Sequence, residues 1–210
     1  MTRPVTDWYN DILPSAPGLT PGTHVDWAIA DAAREFCERS RAWWVEHTIN
    51  VVGNQHTYLI PGAKVVHIEQ ALYRGEEIPS TTEREQTQRN HLWRTEVGEV
   101  IGYLRPREQS IRLVRIPGGS LSAGLVVSVS VMPDAGASQL DDDLYDDHRK
   151  AIACGALSML LAQPKKPWSD PGQAMAHRVS FEQAIGSAHV HRFNDRSTAR
   201  RETRVIGGLD

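Results

Sequence analysis

Apolar and small positions recur at three- and four-residue steps through Leu144, His148, Ala151, Ile152, Gly155, Ala156, Met159 and Leu160, the spacing of one helical face. Ala174, Arg178, Phe181, Ala184, Ile185 and Ala188 repeat that spacing and predict a second helix. Between them stands Gln163-Pro164-Lys165-Lys166-Pro167-Trp168-Ser169-Asp170-Pro171. Pro164 stops the first helix, because a residue that precedes proline resists the helical region. Asp170 reads as the next N-cap, Pro171 as the first helical residue, and Gln173 as the reciprocal partner of a capping box. Five carboxylates, Asp141, Asp142, Asp143, Asp146 and Asp147, crowd the start of the first helix, where they offset the positive end of its dipole. Gly155 costs roughly 1 kcal/mol in a helix interior, and close packing of another helix is the expected compensation. Trp168 is expected to close the hairpin by packing across both helices.

Upstream, Val25, Ile29, Ala32, Ala33, Phe36 and Ser40 form the buried stripe of an earlier helix, capped by Thr23 and with Trp43-Trp44 near its end. From about residue 47 the period becomes strand-like. Thr48–Val52 and Thr57–Ile60 flank the turn signal Gly53-Asn54; Val65–Tyr73 ends at a second turn, Arg74-Gly75. Glu99–Leu104, Ile111–Ile116 and Leu125–Met132 complete the strands, the last alternating Val127, Ser128, Val129, Ser130, Val131. Residues 79–95 read as a long polar loop with a short helix. Residues 1–22, with Pro4, Pro14, Pro17 and Pro21, read as an extended arm in which Asp11-Ile12-Leu13-Pro14 docks onto a neighbouring surface.

The expected fold is therefore α+β: a three-helix bundle (23–46 and 140–193) with an inserted antiparallel β domain of five or six strands (47–133), an extended N-terminal arm (1–22) and an extended C-terminal tail (194–210). A chain of 210 residues can bury a full core, and 40% hydrophobic with 23% charged residues is ordinary for a soluble protein. The net charge of −3 selects no partner; its distribution, acid at 141–147 and arginine at the C-terminus, is more informative. No apolar run approaches a membrane span and no signal-peptide core follows Arg3-Pro4. Cys37 and Cys154 lie on predicted apolar helix faces, which favours buried free thiols and synthesis in a reducing cytoplasm.

No catalytic motif stands out in the sequence. Gly118-Gly119 and Gly207-Gly208 lack the spacing and Lys-Ser/Thr ending of a phosphate loop, and Ser158 sits inside a helix rather than on a strand-to-helix turn. Among nine histidines, His189 and His191 are the tightest pair, with His177 upstream. Residues two apart on a helix diverge, so surface histidines are expected rather than a metal site, and no cofactor is implied. The aspartates at 141–147 lack the glycine and distal Glu of a calcium loop. At the C-terminus, Arg192, Arg196, Arg200, Arg201 and Arg204 precede Val205-Ile206-Gly207-Gly208-Leu209. Arginine-rich tails contact nucleic-acid phosphates or acidic protein surfaces; the apolar end favours a groove on a protein partner.

Three stretches resemble the head-to-tail adaptor (connector) proteins of tailed bacteriophages. Ala32-Ala33-Arg34-Glu35-Phe36-Cys37-Glu38-Arg39-Ser40-Arg41-Ala42-Trp43 is similar to their first helix and Tyr58-Leu59-Ile60-Pro61-Gly62 to the strand and turn that follow. The closest likeness runs from Tyr145 to Trp168, with Ala174, Phe181 and the arginine tail agreeing. The resemblance implies a non-enzymatic virion protein at the capsid–tail junction, forming a homo-oligomeric ring, typically dodecameric, below the portal. It implies that Phe36, Gly155, Trp168 and Phe181 pack the ring body, and that Arg196, Arg200, Arg201, Arg204, Val205 and Ile206 dock to the portal protein. The β region points to the tail tube, nozzle or tail fibres. DNA passes through the central channel without specific binding, so Asp141, Asp142, Asp143, Asp146 and Asp147 face that channel or, equally, serve as helix caps. Two alternatives remain: a virion-associated carbohydrate-binding or enzymatic module using Trp93 and Tyr103 as stacking groups, and a DNA-binding assembly factor working through the C-terminal arginines.

Overall fold

The computed structural model describes the backbone of residues 2–105 and 109–196, and side chains as far as His191. The fold is mixed α+β, with five α-helices and antiparallel sheets among the described residues. Its first fifteen residues depart from the expected extended arm. Strand β1 (Thr2–Pro4) pairs with β9 (Gln139–Asp141), and two 3-10 turns then bracket the short helix α1 (Tyr9–Ile12). Val5, Trp8 and Ile12, spaced by three and four, turn one apolar face inward, and Trp8 and Ile12 are fully buried. The prolines punctuate short turns here, and Ile12 docks onto its own chain.

Helix α2 (Thr23–Ser40) starts after Gly22, so Thr23 is its first residue and not its cap. It stops where Arg41 takes a left-handed φ of 53°, short of the expected residue 46, and Trp44 already belongs to β2 (Trp44–Val51). The Ser40 hydroxyl donates to the Phe36 carbonyl at 2.7 Å, which satisfies one of the last carbonyls of the helix.

Among the described residues the β region holds seven strands in two sheets, where five or six strands were expected. Strand β8 (Leu121–Met132) is the hub of the first, ordered β2, β8, β4 (Lys64–Tyr73), β5 (Glu76–Glu77). The second is ordered β3 (Thr57–Leu59), β7 (Ser110–Val114), β6 (Gly102–Leu104). The chain does turn at Gly53-Asn54, with Asn54 at φ 63°, but the flanking strands separate: β2 pairs with β8 and β3 with β7. Arg74-Gly75, with φ 56° and 84°, makes a tight two-residue hairpin between β4 and β5. Within the polar stretch lies α3 (Glu83–Arg89), opened by a capping box between Thr82 and Glu85.

Helix α4 (Asp142–Leu161) is capped by Asp141, whose carboxylate accepts from the Asp143 amide at 3.1 Å. Helix α5 (Pro171–Arg196) follows, with the Asp170 carboxylate accepting from the Gln173 amide at 3.0 Å. One core joins the N-terminal segment, α2, α4 and α5; a second gathers side chains from both sheets of the β region. Trp43 packs against both cores and so marks their junction.

Candidate functional site

The helical hairpin is built around Gly155. A Cβ at this position would lie 2.8 Å from Phe181 Cε2 and 2.9 Å from the Ala32 Cβ, so the site admits no side chain. The Phe181 ring fills that space, and its centroid is 6.3 Å from that of Phe36, whose ring in turn meets His148 at 4.7 Å. Phe36 and Phe181 are fully buried. The burial of His148 lowers its pKa below the ordinary histidine value.

Two ion-pairing groups tie this hairpin to its neighbours, and the sequence reading missed both. On one side, Arg178 donates to both oxygens of Glu35 at 2.9 and 2.6 Å and lies 2.6 Å from Glu182, while Arg39 bonds Glu35 at 2.8 Å and also pairs with Glu182. The Arg178 bonds hold the Glu35 carboxyl below the usual carboxylate range. The i,i+4 pairs Glu35–Arg39 and Arg178–Glu182 were the available signal, although spacing does not show that two helices meet there. On the other side, Arg3 sits 3.2 Å from Asp142 and 3.8 Å from Asp146, with its guanidinium 4.7 Å above the Tyr145 ring. Arg149 reaches Asp11 at 3.1 Å, and Trp8 meets Tyr145 edge-on at 4.9 Å.

The acidic cluster is thus divided. Asp141 caps the helix, while Asp142 and Asp146 pair with Arg3. Asp143 and Asp147 are exposed. Trp168 is half-buried; it stacks on His24 with centroids 5.7 Å apart, and the Lys166 ammonium lies 5.6 Å from its ring. It packs against the edge of the helical core rather than through it.

An open groove of about 810 Å³ runs between α4 and α5, walled by Trp44, Asp147, Ala151, Ala184, Ala188 and His191. His189 points elsewhere, with Nδ1 3.3 Å from the Ser40 carbonyl oxygen, so it and His191 do not converge. Among the described residues no group of three or more His, Cys, Asp or Glu is placed to hold a metal ion. Both cysteines are free; burial pushes the Cys37 thiol up to about 12. No described helix is long and apolar enough to cross a membrane.

The stacking platform of the carbohydrate-binding alternative is not there. Trp93 is 2% exposed and lies 4.8 Å from the Arg94 guanidinium and 4.9 Å from that of Arg112; Tyr103 is 5% exposed. Neither ring offers solvent a face. Arg196 is the last residue of α5, and Arg200, Arg201, Arg204, Val205 and Ile206 lie outside the described residues, as does the side chain of Arg196.

The contacts that organise this molecule hold its helices and strands against one another. Comparison with known families places the chain among phage structural adaptors, a class of virion component that is not an enzyme family. The family model for the SU10 adaptor protein matches residues 1–206, and the chain belongs to that family of phage head-to-tail adaptors, whose role implies contact with portal and tail components. No curated protein matches the chain in sequence.

Proposed function

We propose that this chain is the repeating unit of a ring that seats below the portal and joins the DNA-filled capsid to the tail. The family match over residues 1–206 carries this reading, because it spans the whole order of elements rather than one motif. Helices α2, α4 and α5 act as the ring body, with residues 44–132 inserted between them as the tail-facing part. A body locked by the Gly155–Phe181 contact and the Glu35–Arg178 bonds suits a part that must keep its shape while two large assemblies pull on it. The segment beyond α5 reaches the portal through Arg200, Arg201, Arg204, Val205 and Ile206. Asp143 and Asp147, exposed on the body, are the members of the acidic cluster most free to face a DNA channel, where like charge keeps phosphate from sticking.

The test is a truncation. A chain ending at residue 196 keeps every described element, so its circular dichroism should match that of the full chain while co-sedimentation with portal rings is lost. Undiminished portal binding by the truncated chain would remove the tail from the docking role.

A further inference from the structure

The groove between α4 and α5 has an order along its length that the sequence beyond α5 repeats. At the end where α5 finishes, α4 is beginning, because the two helices run antiparallel; Asp147 and His191 face each other there, and exposed Asp143 lies one turn further out. Deeper in, the walls become small and apolar: Ala151, Ala184 and Ala188, with Trp44. The remaining sequence runs in the same order when read back from the end of α5, arginines first at 200, 201 and 204, then Val205-Ile206. We propose that this groove is the resting site of the chain's own residues 197–210, with the arginines over Asp143 and Asp147 and the apolar pair against the alanines. This inference deepens the portal reading above and rests on it: the same segment is held on the body until a portal surface competes for it.

The reach is sufficient. Ala184 lies about 18 Å back along the axis from Arg196, at 1.5 Å per helical residue. The nine residues from Ser197 to Val205 span at most about 30 Å when extended, enough for a reversal and the run back. The volume of about 810 Å³ lies in the range of sites that enclose a small ligand or a few side chains. The charges facing the segment are mixed: Asp147 and Asp143 favour it, while Lys150 on the same walls does not, so the arginines must sit at the acidic end.

Limited trypsin digestion of the full-length chain reads this directly, with mass spectrometry following cleavage after Arg200, Arg201 and Arg204. Asp143→Asn with Asp147→Asn should speed loss of the tail roughly tenfold at low salt, and Ala188→Trp, which fills the groove, should do the same. Equal cleavage rates in wild type and both variants overturn the proposal. Asp143 and Asp147 are exposed, so the double variant decides the matter if Ala188→Trp fails to fold. Protection that grows with protein concentration also overturns it, since the occupant would then be another copy. Co-sedimentation with portal rings on the same samples separates the two ideas. An unprotected tail with intact portal binding removes only the resting site; a protected tail without portal binding removes only the portal reading.

Discussion

Helices α2, α4 and α5 share one core with the N-terminal segment, and at its centre backbone meets ring: Gly155 against Phe181. Residues 44–132 work differently. There the apolar side chains of two sheets meet in a second core, and β8 supplies its alternating, fully buried Val127, Val129 and Val131 between β2 and β4. The helical body depends on one close approach that nothing else can replace, whereas the β region spreads its stability along a ladder of pairs. A body of the first kind is hard to deform, and a region of the second kind tolerates change at its rims. That division suits a ring body carrying a variable tail-facing part.

The largest expected effect lies at the centre of the body. Phe181→Ala should cost about 3–5 kcal/mol, read as the urea midpoint at unchanged slope. A loss under about 1 kcal/mol would show that the body relaxes around the gap and would break the contrast with the β region.

Two glycines of the hairpin sharpen the same point by sign. Alanine favours a helix over glycine by roughly 1 kcal/mol, yet Gly155→Ala should destabilise by about 1–3 kcal/mol because its methyl meets Phe181 and Ala32. Gly186, inside α5, has nothing within 4 Å of its added Cβ, so Gly186→Ala should stabilise the free chain by up to about 1 kcal/mol. Thermal melts of the pair check this; a shift in the same direction for both would mean that packing does not govern Gly155.

The smallest effect is on pH dependence. His148, pressed against Phe36, has a lowered folded-state pKa, so the unfolded chain binds its proton first as pH falls. Its share of stability is complete above the ordinary histidine pKa of about 6.5 and is lost as pH drops from there toward the folded value. His47 and His56 are shifted the same way by burial in the β region, so His148→Gln should reduce the slope of stability against pH below neutrality without abolishing it. An unchanged slope between about pH 5 and 6.5 would place the histidine-linked part of the acid sensitivity in the β region.

What the sequence made legible was local. Asp141 and Asp170 cap where their side chains predict, Pro171 opens α5, and the small residues around Gly155 do meet another helix. Strand positions along β4 and β8 also followed from alternation. Pairing did not, because period reveals a strand but not its partner: Tyr58 meets Ile111, more than fifty residues on, and not the strand across the Gly53-Asn54 turn. In the N-terminal segment the three-and-four spacing of Val5, Trp8 and Ile12 prevails over four prolines that favour an extended chain. Trp93 stands in a polar stretch and Tyr103 on an expected strand, but Arg94 and Arg112 cover the faces of Trp93 and the β region buries Tyr103. The inter-helix bonds of Glu35 and Arg178 depend on tertiary proximity across 143 positions of sequence, which no local pattern carries.

The central claim is that this chain completes a portal as a ring. Mass measurement of portal rings mixed with the full-length chain tests it most directly. A chain that seats as a ring gives a discrete complex with one copy per portal subunit; portal rings that keep their own mass at saturating concentrations of the chain rule the ring out.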